Sequence, residues 1–233
     1  MHGSGILDPN LAWIAPIANL VKVSSGFPDV SLNMAKSDPG IRKQVYQYVN
    51  GILKVNYDYD LRMTMHNPKP NILPYLFDMW LHYIDGVTLG DEGMGPYPEA
   101  LIQNYRDFDC RVYHIILNKN FRNIEGIYCC MDAVPNTFPS GSFSTIDTTR
   151  NSLVGQGQEE LDIGFSATVF RYNNVRVSQM FNQTTVFFNR NMADGTREKT
   201  HRKLSVKEYM AGGFDCYPWI NIENMELEYW IKR

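Results

Sequence analysis

ELDIGFSATVFRY, residues 160–172, alternates between two kinds of side chain with almost no exception. Leu161, Ile163, Phe165, Ala167 and Val169 fall on one side of an extended chain. Asp162, Gly164, Ser166 and Thr168 fall on the other. Side chains in a strand point alternately to its two faces, so this stretch predicts a strand with one face in a core. The second face is small and polar and suits water or a channel.

The same pattern recurs upstream. In YDYDLRMTM, Tyr59, Leu61, Met63 and Met65 share a face against Asp58, Asp60, Arg62 and Thr64. Before it, VYQYVNGILKVNYDYD (residues 45–60) reads as one or two strands broken at Asn50-Gly51, a favoured hairpin turn. After it, NILPYLFDMWLHYIDG changes period. Leu73, Leu76, Phe77, Trp80, Leu81 and Ile84 recur at helical spacing, which predicts a helix over 72–85. Asn71 is its candidate N-cap, Pro74 sits in the tolerant first turn, and Gly86 is the candidate left-handed end. The candidate core therefore comprises Leu76, Phe77 and Trp80 from the helix with Leu161, Ile163, Phe165, Ala167 and Val169 from the strand.

A loop follows, VTLGDEGMGPYP (residues 87–98), whose Gly and Pro content suits an exposed contact. RVYHIILN and IEGIYCCM are the next two strands, and Asp132–Ser142 reads as leading away through a Pro135–Pro139 turn. Cys129 and Cys130 lie at the end of the second strand. Adjacent residues of a strand point to opposite faces, so the pair cannot readily share a metal, and a disulfide between neighbours strains the peptide between them. Both are read as structural thiols.

Residues 1–44, punctuated by GSG, DP, SSGFPD and SDPG, read as an extended arm with short ordered pieces. Residues 45–174 form the core unit. Residues 175–233 are an extension in which the pattern restarts with VRVSQM and QTTVFFNRN and turns at Ala193-Asp194-Gly195. A charged helix (residues 204–213) and a strand-like end, INIENMELEYWIKR, then close the chain. The expected class is α+β, mainly β: an antiparallel β-sandwich or barrel with one packed helix, an N-terminal arm and a C-terminal extension.

Composition narrows the function. A formal charge of −3 and a pI near 5.9 lack the basic stripe of a nucleic-acid binder. No apolar run is long enough for a membrane anchor, and the N-terminus lacks the basic start of a signal peptide. Four cysteines in 233 residues do not make a disulfide scaffold, which fits assembly in a reducing cytoplasm. The histidines are scattered without HxxxH or HExxH spacing, PSGS (residues 139–142) is no nucleophile elbow, and GMG (residues 93–95) lacks a P-loop lysine. DEG (residues 91–93) and DYD (residues 58–60) match no calcium loop. The residues give no catalytic, cofactor-binding or metal set, and no cofactor is expected.

The order of features carries a resemblance. The strand YDLRMTM, the helix with Phe77 and Trp80, the pair RVYHIIL and IEGIYCCM, the Pro135–Pro139 turn and the strand ELDIGFSATVFRY succeed one another over residues 55–174. This succession resembles the tail tube protein family of contractile-tailed phages and related injection machines. The resemblance implies a virion structural protein without catalysis, built in the host cytoplasm into a ring of the tail tube or of its baseplate or neck end. It implies a hexameric ring of identical copies through which DNA passes without specific binding. Neighbouring tube, baseplate or neck proteins are the implied partners, with sheath and tape-measure proteins as further candidates. Asp162, Gly164, Ser166 and Thr168 become candidate lumen- or solvent-facing positions. Simple subunits of that kind are shorter, so the arm and extension suit a tube-end or adaptor ring. Two alternatives remain: a metal-dependent enzyme assembled from dispersed groups such as His66, His82, His114 and Asp85, and a carbohydrate-binding β-sandwich adhesin.

Overall fold

A computed structural model describes residues 13–27, 34–50, 59–68, 72–90, 108–139, 160–172, 174–210 and 216–233. The architecture is α+β and mainly β. Its centre is an antiparallel sheet of six strands: β1 (Val21–Ser25), β4 (Tyr59–His66), β7 (Glu160–Ala167), β6 (Ile124–Thr137) and β5 (Cys110–Leu117) in spatial order, with β8 (Val169–Tyr172) also paired to β6. A short helix, α1 (Ala15–Leu20), leads into β1, and a separate two-stranded hairpin, β2 (Met34–Lys36) and β3 (Gln47–Val49), precedes β4.

The register of β4 on β7 follows from their shared alternation. Leu61 lies opposite Phe165, Met63 opposite Ile163, and Met65 opposite Leu161. A one-residue slip of either strand would turn its three apolar side chains out of the core, so burial fixes the pairing. Helix α2 (Ile72–Leu89) covers this face with Leu73, Phe77 and Trp80, and Leu76 is buried beside them in the chain. The ring of Phe77 meets Phe165 edge-on at 5.9 Å, and Trp80 donates its indole N–H to the Phe108 carbonyl at 3.1 Å. Each large side chain buried here contributes about 1.5–3 kcal/mol.

The helix outlasts its expected end at residue 85. Gly86 is buried inside it, and Gly90, at φ +72°, is the left-handed terminator, its N–H returning to the Gly86 carbonyl at 3.0 Å. A buried glycine lets the helix lie close to its neighbours without ending it, so the stop falls to the next one.

Three further expectations are corrected. The Pro135–Pro139 segment is no turn up to Thr137, because β6 runs through it, with Pro135 opposite Phe165 and a register irregularity just beyond. A proline is tolerated in a strand where the ladder is interrupted. Residues 160–172 make two strands, because the chain breaks at Thr168 and β8 pairs with the first half of β6. VRVSQMFNQTTVFF is α3 (Val175–Phe188), a helix. Its buried residues Val177, Ser178, Phe181, Asn182 and Thr185 follow helical spacing, and the Asn174 side chain caps it by accepting from the Arg176 N–H at 3.0 Å. The later charged helix is α5 (Val206–Met210), and α4 (Arg197–Thr200) is a single turn before it. The Asn71 cap, the turn after Asn50 and the Gly/Pro loop beyond Gly90 lie outside the described residues.

Strand β6 is where the layers meet. Asp132, at φ +53°, is the extra residue of a bulge: Val112 pairs with Cys130, but Cys110 pairs with Ala133. On one side of β6, Cys130 and Ala133 join the core under α2. On the other, Ile124, Ile127 and Cys129 meet Val177 and Phe181 of α3 in a second core. Trp13 closes that core, stacking on Phe181 at 4.3 Å and donating to the Thr185 hydroxyl at 3.3 Å. A small sheet, β10 (Tyr217–Asn221), β11 (Glu226–Lys232) and β9 (His201–Lys203), completes the fold. It is tied to the start of β6 by the Ile124 N–H to the Met225 carbonyl (2.8 Å) and the Leu227 N–H to the Arg122 carbonyl (2.9 Å).

Candidate functional site

The face of β4 and β7 turned away from α2 is the surface singled out by the alternation. Antiparallel pairing brings Asp60 opposite Ser166, Arg62 opposite Gly164, Thr64 opposite Asp162 and His66 opposite Glu160. These side chains hold one another. Thr64 donates to the Asp162 carboxylate at 2.6 Å, and Ser166 donates to Asp60 at 3.2 Å while accepting from the Asn136 amide at 2.8 Å. Lys22 of β1 reaches Glu160 at 2.5 Å.

Short side chains tied laterally leave a low, hydrated floor. At its centre a Cβ on Gly164 would fall 2.4 Å from the Asn136 side-chain oxygen, so any larger residue would push that amide aside. The floor carries Asp60, Glu160 and Asp162 against Lys22 and Arg62, a slight acidic excess.

Of the candidate floor positions, Asp162 and Thr168 are exposed and Gly164 and Ser166 half-buried. Thr168 stands at the break between β7 and β8, its N–H on the Met131 carbonyl at 3.3 Å. Of the candidate core positions, Leu76, Phe77, Trp80, Leu161, Ile163, Phe165 and Ala167 are buried, and the side chain of Val169 lies outside the described part of the structure. The β4 half of the floor was visible in its own alternation. Asn136 was not, because its prolines read as a turn, and Lys22 was hidden in a segment read as an arm.

The dispersed groups of an enzyme site do not converge. His66 ends β4, His82 and Asp85 are exposed on α2, and His114 lies in β5 beside Phe27 at 4.9 Å. Burial holds the His114 imidazole below its usual pKa. Among the described residues no group of three or more His, Cys, Asp or Glu could hold a metal ion, and no helix is long and apolar enough to cross a membrane. Burial, followed by the charge of Asp109, pushes the Cys110 thiol up to about 12; burial, followed by Cys129, does the same for Cys130. Such thiols are poor nucleophiles and poor ligands. Ser140, Ser142 and His2 lie outside the described residues.

A family model described as "Putative phage tail tube protein" matches residues 5–233, nearly the whole chain. No curated protein matches the chain. Among solved structures, the tube-terminating cap of the anti-feeding prophage is similar at 10% identity, covering 66% of this chain and 80% of that one with a TM-score of 0.35. The sheath/tube terminator of the extracellular contractile injection system PVC, in its extended state, is similar at 12% identity over 66% and 85%, TM-score 0.36. A chain of the PVC sheath-tube complex gives 13% identity over 66% and 80%, TM-score 0.36.

Proposed function

The chain belongs to the phage tail tube protein family, and from that premise we propose that it is a non-catalytic subunit that closes with copies of itself into a ring of a tail tube or tube end. The observation behind this reading is the floor of β4 and β7: one face is buried under α2, and the other is a laterally bonded layer of small polar groups. A channel for a polyanion should be hydrated, smooth and free of a basic stripe, since clustered Lys and Arg would bind phosphates and stall passage. Asp60, Arg62, Thr64, Asp162, Gly164, Ser166 and Thr168 line the lumen in this reading, the single arginine set among carboxylates, and DNA passes without specific contacts.

Ring closure also deals with the sheet edges. Among the described residues β1 and β5 stand at the ends of the main sheet's strand order, and edge-to-edge contact between subunits would continue the ladder there. Residues 45–174, joined by β1 from the preceding segment, are then the tube-like unit, and the outer surfaces of segments 1–44 and 175–233 mate with neighbouring tail proteins, sheath included, within the particle.

Negative-stain microscopy and sedimentation of the full chain test the proposal. Rings or short tubes with a central channel are expected. A protein that stays monomeric across concentration, salt and pH would overturn it.

A further inference from the structure

The β2–β3 hairpin is built to be held by something else. Its ladder is regular: Met34 pairs with Val49, Ala35 with Tyr48 and Lys36 with Gln47. The Ser37 N–H reaches the Tyr46 carbonyl at 2.9 Å, and the Lys43 N–H reaches the Gly40 carbonyl at 2.8 Å. Among the described residues, none of the three hydrophobic cores includes a residue of it. Met34, Val45, Tyr46, Tyr48 and Val49 are between 47% and 70% exposed. An isolated two-stranded hairpin is marginal in water, so one displaying this much apolar surface gains by docking. It is also basic. Lys36, Arg42 and Lys43 stand against Asp38 alone, so with the whole chain at −3 the remaining residues stand at −5.

The outward stripe of α2 has the complementary character. Tyr75, Asp78, His82, Asp85 and Leu89 recur at three- and four-residue steps along one exposed line, and the helix contains no Lys or Arg. Tyr75 is 56% and Leu89 70% exposed. Asp78 lies 3.6 Å from the His82 ring, one turn away on the same helix. An acidic centre between two apolar ends thus faces out where a basic, aromatic element would fit.

We propose that the β2–β3 hairpin of one copy docks on the outward α2 stripe of a second copy, Arg42 and Lys43 against Asp78 and Asp85, with Tyr46 and Tyr48 against Tyr75 or Leu89. Opposite charges at a rim fix partner and register, while the aromatic contacts supply burial. The contact joins a segment of one subunit to a different segment of the next, a heterologous arrangement that propagates into rings or stacks. It rests on the proposed self-assembly of the chain.

Charge exchange tests it in the full chain. Arg42→Glu with Lys43→Glu, and separately Asp78→Lys with Asp85→Lys, should each weaken self-association at least tenfold by sedimentation, with an unchanged melting temperature. All four substitutions in one chain should restore association. If an exchange perturbs folding, the milder pairs Arg42→Gln with Lys43→Gln and Asp78→Asn with Asp85→Asn should still weaken it. Wild-type protein that assembles while the exchanges leave assembly untouched, or that is not restored by the combined chain, overturns this contact and leaves the ring reading standing; another protein would then occupy the stripe. Wild-type protein that never self-associates overturns both.

Discussion

Cys129 and Cys130 are consecutive in the chain and lie in different hydrophobic cores. Cys129 packs with Val177 and Phe181 of α3, Cys130 with Ala133 and the cluster under α2, and neither is exposed to solvent. Strand β6 is therefore a shared wall, so one residue step along it crosses from one core to the other.

Both thiols should resist modification in the native protein. Maleimide labelling at pH 8, read by mass spectrometry, is expected to modify at most two of the four cysteines until denaturant is added. Native labelling of Cys129 or Cys130 would contradict the double burial. Replacing either by Ser places a hydroxyl in an apolar site and should cost about 1–3 kcal/mol in urea unfolding.

Ala167→Arg examines the inward face of β7. Ala167 is buried opposite Tyr59 beneath α2, so an arginine there would be an unpaired charge in the first core. The expected loss is about 3–5 kcal/mol, enough to leave most of a marginal protein unfolded. Thr168→Arg, one residue on and exposed, should stay within about 0.5 kcal/mol of wild type. Comparable melting of the two variants would mean that the inward and outward faces are misassigned.

Asn182 binds α3 to the small sheet with both ends of its amide. Its Nδ2 donates to the Ile220 carbonyl at 2.8 Å, and its Oδ1 accepts the Ile220 N–H at 2.9 Å. Asn182→Leu keeps the branched shape and orphans both buried backbone groups, for about 2–4 kcal/mol at the usual cost of each. Circular dichroism melts would show the loss, and a variant as stable as wild type would mean water replaces the amide.

The core of the main sheet was legible because residues 59–65 and 160–167 carry the strand period without interruption. Their mutual pairing was not, since alternation names a face without naming the partner. α3 was missed for a local reason. VRVSQM and QTTVFF carry β-branched and aromatic residues that suit a strand, and packing of Val177, Phe181 and Thr185 on β6 and β10 overrides that preference. The prolines at 135 and 139 misled in the opposite direction, because a bulge lets Pro135 sit inside a strand. Two of the lateral bonds of the polar floor come from Asn136 and Lys22, which reach it from elements whose sequence gives no sign of belonging to that face.

Acid should loosen the small C-terminal sheet. His201 is buried beside Tyr217. Its Nε2 faces the Asn189 amide nitrogen at 3.4 Å, and its Nδ1 lies 2.7 Å from the Thr200 hydroxyl. The Asn189 oxygen is already engaged by the Asn191 N–H at 3.1 Å, so Nε2 must act as acceptor and the ring must be neutral. Burial, and after it the charge of Lys232, lowers the His201 pKa below its ordinary 6.5, and burial lowers that of His114 in the same direction. The unfolded chain then takes up these protons first as pH falls. Their contribution is complete above about 6.5 and drains away below it, toward the lowered folded values.

Glu228 adds a second, lower phase. Burial pushes its carboxyl up, but Lys203 at 2.7 Å, the Trp230 indole N–H and the Asn221 amide outweigh that, leaving it below 4.5. Its contribution is complete above the ordinary value and is lost as pH falls through the folded one. Urea midpoints from pH 8 to pH 4 should therefore fall from near 6.5 and again below 4.5. Exchanging both His201 and His114 for Gln should flatten the first step and leave the second. A midpoint that rises between pH 7 and pH 5.5 in the wild-type protein would show that the buried imidazoles are held charged, and that Asn189 turns its oxygen, not its nitrogen, toward His201.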